Sequence, residues 1–364
     1  MDNKNRVKAF AKRLKDNHID AAIIINQNVI RYFTGFVMNQ FAESILIIEQ
    51  DATISYLVPK LDFYRAIRDC WIDDIHAYAE DTPDHLSPLR NIINKEWRTV
   101  GIETETITVK HMSYIKEVFK GNFQSVDPII EQQLKVKTNQ EIQLIKKAAD
   151  IASYTMNEVM NYIRENKRVT ELEVAGFAKY VMEKQGAENY SFQPFIMSGV
   201  DSALPRRVPS TKELVEGELI VFDMGCIYEG YCSDITRTFA LGTVNEKQKE
   251  IYDISYEAQK RAIQAIRPGK TAGEIDAVAR DYIIEQGYGD YFPHLTGHGI
   301  GVSVHEYPII DQGEQAVLEE NMIVTMEPGI YLPDVGAVRI EDMILITTDG
   351  YEYLTDSPRD LILK

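Results

Sequence analysis

Five residues with oxygen or imidazole donors stand in five separate segments of the chain's second half: Asp223 in LIVFDMG, Asp234 in GYCSDITRT, His298 in HLTGHGIG, Glu327 in VTMEPGIY and Glu341 in VRIEDMIL. Their settings are unusual for surface acids. Asp223 follows Leu219, Ile220, Val221 and Phe222, and Glu327 follows Val324, Thr325 and Met326. An acid that ends an apolar run in a core strand is rarely buried unless it is paired or bound to a metal. A buried carboxylate without a partner costs several kcal/mol, and four facing one cavity would repel one another unless cations lay between them. A carboxylate-rich, imidazole-poor set suits Mn²⁺, Co²⁺, Fe²⁺ or Zn²⁺ rather than a thiolate-bound ion. Taken singly, each residue also has a bland explanation. An aspartate beside a glycine turn is commonly a turn residue, and a glutamate after a strand is commonly solvated.

Strand geometry adds a residue around this set. Residues i and i+2 share a face, so Cys232, Asp234 and Thr236 are expected to point the same way. Thr236 could then donate to a metal-bound carboxylate, or simply bond to backbone. His294 lies four residues before His298. On a helix that spacing would pair them as ligands, but Gly297 and Gly299 argue for a loop.

The elements that must position these segments are visible as periodicity and caps. Residues 4–17 have helical periodicity, AAIII at 21–25 reads as a buried strand, 43–50 and 54–59 as further strands, and 107–119 as another helix. That alternation predicts a small α/β domain over residues 1–132. Residues 133–364 are expected to form an α+β domain. There TNQE beginning at Thr138, TELE at Thr170 and TAGE at Thr271 are capping boxes: the threonine accepts from a free backbone N–H and the glutamate reaches back. The first opens a helix expected to run to about Asn166. Strands are expected at 191–198, 217–225, 229–238, 322–331 and 337–346.

The totals exclude some function classes. The chain has 364 residues and a formal net charge of −17. The length suggests two or three domains. The acidity argues against a nucleic-acid partner, which would want a basic face, and suits divalent cations. The longest apolar runs are strand-sized and too short to span a bilayer. The N-terminal stretch MDNKNRVKAFAKRLKDNHID lacks an apolar signal-peptide core, so no membrane partner is expected. The three cysteines, Cys70, Cys226 and Cys232, are odd in number and scattered, against a disulfide framework. A reducing compartment fits, and the cytoplasm is the expected location. Cys226 and Cys232 read as small buried hydrophobes.

In their order and spacing through residues 139–355, the segments LIVFDMG, GYCSDITRTF, FPHLTGHGIGVSVHE, VTMEPGIY and VGAVRIEDMIL resemble the metallopeptidase family that includes Xaa-Pro dipeptidase (prolidase), aminopeptidase P and methionine aminopeptidase. NVIRYFTGF in the first third is similar to the creatinase/prolidase-type N-terminal domain. The resemblance implies the pita-bread fold for the second domain. It also implies two divalent metal ions, manganese foremost, with cobalt, zinc or iron as alternatives. Asp223 would chelate one ion, Asp234 and Glu341 would bridge the two, and His298 and Glu327 would complete the shell of the second. Such ions, about 3.5–4 Å apart, can hold a hydroxide that attacks a scissile carbonyl, with Glu327 as general acid/base. His294 and His305 would contact the substrate or the developing oxyanion, or would only hold their loop. Tyr331 and Arg339 would lie near the substrate, Arg339 forking a peptide carboxylate or pairing with an acid.

One position departs from the family pattern. In the Xaa-Pro and methionine branches a histidine usually stands about 17 residues before the first ligand, after a proline; here SALPRRVPS puts Arg206 in that substrate-binding position. Arginine has no acceptor and keeps its charge. The implied activity is hydrolysis of Xaa-Pro bonds as an Xaa-Pro dipeptidase. The alternative is an aminopeptidase P acting on Xaa-Pro-Yaa peptides. A third reading is a non-catalytic metal-binding or interaction protein of the same fold; Arg206 points that way and the five donors point the other. Creatinase lacks the metal ligands, and methionine aminopeptidases usually lack an N-terminal domain of this kind. In the prolidase branch that domain helps form dimers, so a homodimer is expected.

Overall fold

Short apolar runs in the first third pair into one six-stranded sheet. The computed structural model describes residues 3–39, 42–79, 88–166, 168–205 and 207–363, and the chain divides into two units, Met1–Gln133 and Leu134–Lys364. In the first unit the sheet order is Ile75–Tyr78, Ile54–Pro59, Ile45–Glu49, Ala21–Ile24, Thr99–Ile102 and Asn122–Ser125. Ala21–Ile24 runs antiparallel to Ile45–Glu49 and parallel to Thr99–Ile102. All four of its residues are buried, as a run without polar alternation requires. The expected helices are present as Asn3–Asp16 and Val109–Val118. The helices Gln27–Thr34 and Phe63–Asp69 and three of the four-residue strands are not legible in the sequence, because segments that short show little periodicity.

In the second unit all three expected capping boxes are formed, and Asn245 with Gln248 makes a fourth. Each cap contributes about 1 kcal/mol by satisfying backbone N–H groups that a helix start leaves free. The helices Asn139–Glu165 and Glu171–Lys184 share an apolar cluster with Ile196, Ile220, Phe222 and Met224. Glu246–Ala265 and Ala272–Glu285 share another with Val324, Met326 and Ile344. The strand residues named here belong to two sheets. One is ordered Ile362–Leu363, Ile235–Leu241, Leu219–Met224, Phe195–Ser198. The other is ordered Glu306–Ile310, Gly297–Gly299, Ile323–Met326, Asp342–Ile346, Tyr351–Tyr353.

Three of the five long strands expected from the sequence are broken in two, and the 191–198 run is strand only over Phe195–Ser198. The 229–238 run becomes Tyr231–Cys232 and Ile235–Leu241; 322–331 becomes Ile323–Met326 and Gly329–Leu332; 337–346 becomes Gly336–Arg339 and Asp342–Ile346. In these three, the break falls on Asp234, Glu327 and Glu341, and the two halves belong to different sheets. Periodicity does not reveal such a break, because the residues on both sides stay buried. A residue between two ladders is released from strict alternation, so its side chain can turn toward a common centre. Among the described residues no helix is long and apolar enough to cross a membrane, and all three cysteines are free.

Candidate metal centre

Each of the five donors is placed by a different piece of chain. Asp223 lies inside Leu219–Met224, opposite Thr236 on one side and Phe195 on the other. Asp234, Glu327 and Glu341 occupy the breaks between sheets. His298 is the middle residue of the strand Gly297–Gly299, where the ladder to Glu306–Ile310 shifts register. The sequence reading expected a loop there because of its glycines. The glycines instead permit close strand approach, since a Cβ on Gly297 would lie 1.9 Å from the Thr325 carbonyl oxygen.

The donors converge. Atoms of Asp234, His298 and Glu341 lie within 4.8 Å of one another. His298 Nδ1 donates to the Gly299 carbonyl at 3.0 Å, which leaves Nε2 facing Glu327 Oε1 at 3.3 Å and Asp234 Oδ2 at 3.8 Å. A backbone carbonyl that fixes one ring nitrogen while the other faces carboxylates is the arrangement of a metal-binding histidine. Arg339 donates to Asp223 Oδ2 and to the Tyr331 hydroxyl, each at 2.5 Å, and to Thr236 Oγ1 at 3.3 Å. Of the two roles open to Arg339, pairing with an acid is the one seen here. Thr236 in turn donates to Glu341 Oε2 at 2.8 Å.

The electrostatics of this cluster call for cations. Four carboxylates face one guanidinium, so with all four ionised and His298 neutral three negative charges would be uncompensated. Burial pushes Asp223 up and drives Asp234 and Glu341 well above the usual carboxylate range, and the neighbouring carboxylates add to the rise in each. Burial would also raise Glu327, but the hydrogen bond and charge of His298, with His294 and Arg339, hold it at about 2. Burial opposes a charge on His298, yet the bond and charge of Glu327, the Gly299 carbonyl and the Asp223 charge together outweigh it and raise the imidazole. Among the described residues five buried side-chain polar atoms lack a partner, and three of them are Asp223 Oδ1, Asp234 Oδ1 and Glu341 Oε1. Orphaned acceptors of one sign at one place fit bound divalent metal.

The remaining sequence candidates are distributed around this centre. His294 donates from Nδ1 to the Leu295 carbonyl at 2.7 Å and accepts at Nε2 from the Tyr331 hydroxyl at 3.0 Å. Burial lowers its pKa, which favours the ring form that accepts from Tyr331. The His305 ring lies 4.2 Å, centroid to centroid, from His298. Arg206 falls outside the described residues. Sequence reasoning passed over Arg237 and Asp342. Asp342, fully buried beside Glu341, accepts from Arg237, Arg359, Thr355 and Gln259, and Arg237 also donates to the Glu341 carbonyl at 2.6 Å. The available signal was a second acid directly before an apolar strand.

Residues 143–348 match metallopeptidase family M24, and residues 6–133 match the creatinase/prolidase N-terminal domain. The chain belongs to metallopeptidase family M24. This M24 chain is 40% identical to the Xaa-Pro dipeptidase of Pyrococcus furiosus over 362 residues, which is 99% of this chain and 100% of that one. It is similar to the crystal structure of the prolidase from Pyrococcus horikoshii OT3, with a TM-score of 0.91 and 37% identity over 98% of this chain and 100% of the other. It is also similar to the X-Pro aminopeptidase structure from Thermotoga maritima MSB8, with a TM-score of 0.86 and 33% identity over 100% and 99% of the two chains. An α/β domain of creatinase/prolidase type therefore precedes an M24 domain with the pita-bread fold.

Proposed function

We propose that this M24 chain hydrolyses the Xaa-Pro bond of dipeptides, using two divalent ions held by Asp223, Asp234, His298, Glu327 and Glu341. The observation that carries the reading is the trio of orphaned carboxylate oxygens on Asp223, Asp234 and Glu341. With all four carboxylates ionised beside Arg339, the cluster would carry three net negative charges, more than one divalent cation cancels. The Xaa-Pro dipeptidase and prolidase relatives supply the substrate class.

Bound there, the ions would polarise the scissile carbonyl and make water nucleophilic at neutral pH. Glu327, whose carboxylate faces His298 at 3.3 Å, would take a proton from that water. It can pass that proton to the leaving proline nitrogen, which carries no hydrogen in the peptide. In this reading the exposed His305 ring, 4.2 Å from the His298 ring, would donate to the developing oxyanion. His294, Tyr331, Arg339 and Arg206 are assigned to the substrate side. Manganese, a homodimer and a cytoplasmic location belong to the same reading. They are supported by the oxygen-rich donor set, by the N-terminal domain type and by three free cysteines.

The likeness to an X-Pro aminopeptidase along the full chain favours a second reading, removal of the first residue from Xaa-Pro-Yaa peptides. Manganese-loaded protein assayed on an Xaa-Pro dipeptide and an Xaa-Pro-Yaa tripeptide separates the two. Cleavage of the dipeptide alone is expected, and preference for the tripeptide selects the aminopeptidase. Silence on both with metal bound favours the non-catalytic reading.

A further inference from the structure

The 300–305 segment joins the strands Gly297–Gly299 and Glu306–Ile310 and ends in His305. The His305 ring makes no hydrogen bond among the described residues, so the backbone that carries it must set its place. That backbone is tied at its start, where Ile300 N donates to the Ile323 carbonyl at 3.2 Å and Cys232 N donates to the Gly301 carbonyl at 2.7 Å. Nearer His305 the tie is a side chain. Ser303 N donates to Glu306 Oε1 at 2.9 Å. The same carboxylate lies against Gly301, where a Cβ would meet Glu306 Oε2 at 2.6 Å.

Glu306 is held from behind. Its other oxygen accepts from Lys137 Nζ at 2.8 Å, and the two side chains are only 5% and 3% exposed. Lys137 Nζ also donates to the Leu134 carbonyl at 2.9 Å, and Lys137 N donates to the Asn321 carbonyl at 3.0 Å. Lys137 immediately precedes the Thr138 cap of the Asn139–Glu165 helix, so its backbone is anchored on a rigid element. A buried ion pair is weak evidence for stability, because a well-packed apolar pair can do as well. A charged carboxylate presented to one loop amide does something an apolar pair cannot: it fixes the turn leading to His305.

We propose that Lys137 is a positioning residue for His305, acting through Glu306. The inference rests on the reading that His305 contacts the reacting carbonyl. Lys137 itself touches neither the donors nor, in this reading, the substrate.

The test is a double-mutant cycle on the manganese-loaded full chain with an Xaa-Pro dipeptide. Lys137→Met is expected to lower kcat about 10- to 100-fold, with KM and metal content little changed, as for a misplaced catalytic group. His305→Ala is expected to lower kcat by about 100-fold. Because both act through one ring, the Lys137→Met/His305→Ala protein should match His305→Ala within about 2-fold. Losses that multiply overturn the proposal. If Lys137→Met does not fold, Lys137→Met/Glu306→Gln removes both charges and keeps an acceptor for the Ser303 amide. It is expected to fold with kcat lowered about 10-fold or more, because residue 306 has lost its anchor, and a kcat within about 3-fold of wild type overturns the proposal. If His305→Ala keeps wild-type kcat, the substrate-contact reading of His305 falls. Amide exchange at Ser303 then judges Lys137 alone: about 10-fold acceleration in Lys137→Met sustains the tether, and unchanged exchange overturns it.

Discussion

Thr236 donates its hydroxyl to Glu341 Oε2 at 2.8 Å, across 105 positions of chain. It reaches that partner because the ladder sets Thr236 directly opposite Asp223, one donor of the cluster, while Glu341 N donates to the Thr236 carbonyl at 3.0 Å. One threonine thus fixes the register between Asp223, on its own sheet, and Glu341, at the break between two others. The hydroxyl leaves one Glu341 oxygen satisfied and the other, Oε1, orphaned, so it selects which oxygen is available to an ion.

Thr236→Val keeps the branched shape and removes the donor. Metal affinity is expected to fall about 10- to 100-fold with the fold intact. Titration of the metal-free protein with Mn²⁺ measures it, and wild-type affinity in this variant would remove Thr236 from the metal centre.

Asp234→Asn separates the two states of the site. In the metal-loaded protein it removes a proposed bridging ligand, so turnover should be abolished. In chelator the sign reverses. Burial and the neighbouring carboxylates drive Asp234 well above the usual range, so its ionised form opposes folding there, and the neutral amide should be more stable than wild type by about 1–4 kcal/mol. Thermal midpoints with and without chelator check both halves. Wild-type protein should instead gain about 2.7 kcal/mol when metal is raised to about 100 times its Kd.

Asp342→Asn tests the support behind Glu341. The substitution leaves Arg237, 1% exposed, and Arg359 without their shared counter-charge. A loss of about 3–5 kcal/mol is expected, read by urea unfolding of the metal-free protein. A loss below about 1 kcal/mol would show that the backbone carbonyls bonded to Arg237 suffice.

Arg206→His restores the imidazole that the resemblance leads one to expect before the first ligand. If the arginine limits the chemistry, kcat on an Xaa-Pro dipeptide should rise. No change or a fall assigns Arg206 a role of its own.

Much of this was legible before any coordinates. The three Thr/Glu capping boxes are local chemistry, in which a side chain and an amide three residues on find each other without tertiary help, and all three form. The fourth, Asn245 with Gln248, uses the same chemistry with amides in place of the hydroxyl and carboxylate. The five motifs around Asp223, Asp234, His298, Glu327 and Glu341 were conspicuous because acids and a histidine interrupt or end apolar runs, and their order alone indicated the family.

What the sequence by itself determined is therefore the set of chemical groups, the helices with their caps, and the M24 identity; each depends on residue types and short spacings. Only the tertiary structure decided how the groups meet. The runs around Asp234, Glu327 and Glu341 look continuous because burial persists through them, yet the chain changes sheet at each. Likewise Arg339 joins Asp223 to Tyr331, and Lys137 meets Glu306 across 169 positions. Such pairings obey no period along the chain. They follow from packing, because a charge carried into the core is stable only where another segment brings its counter-charge or hydrogen-bond partner.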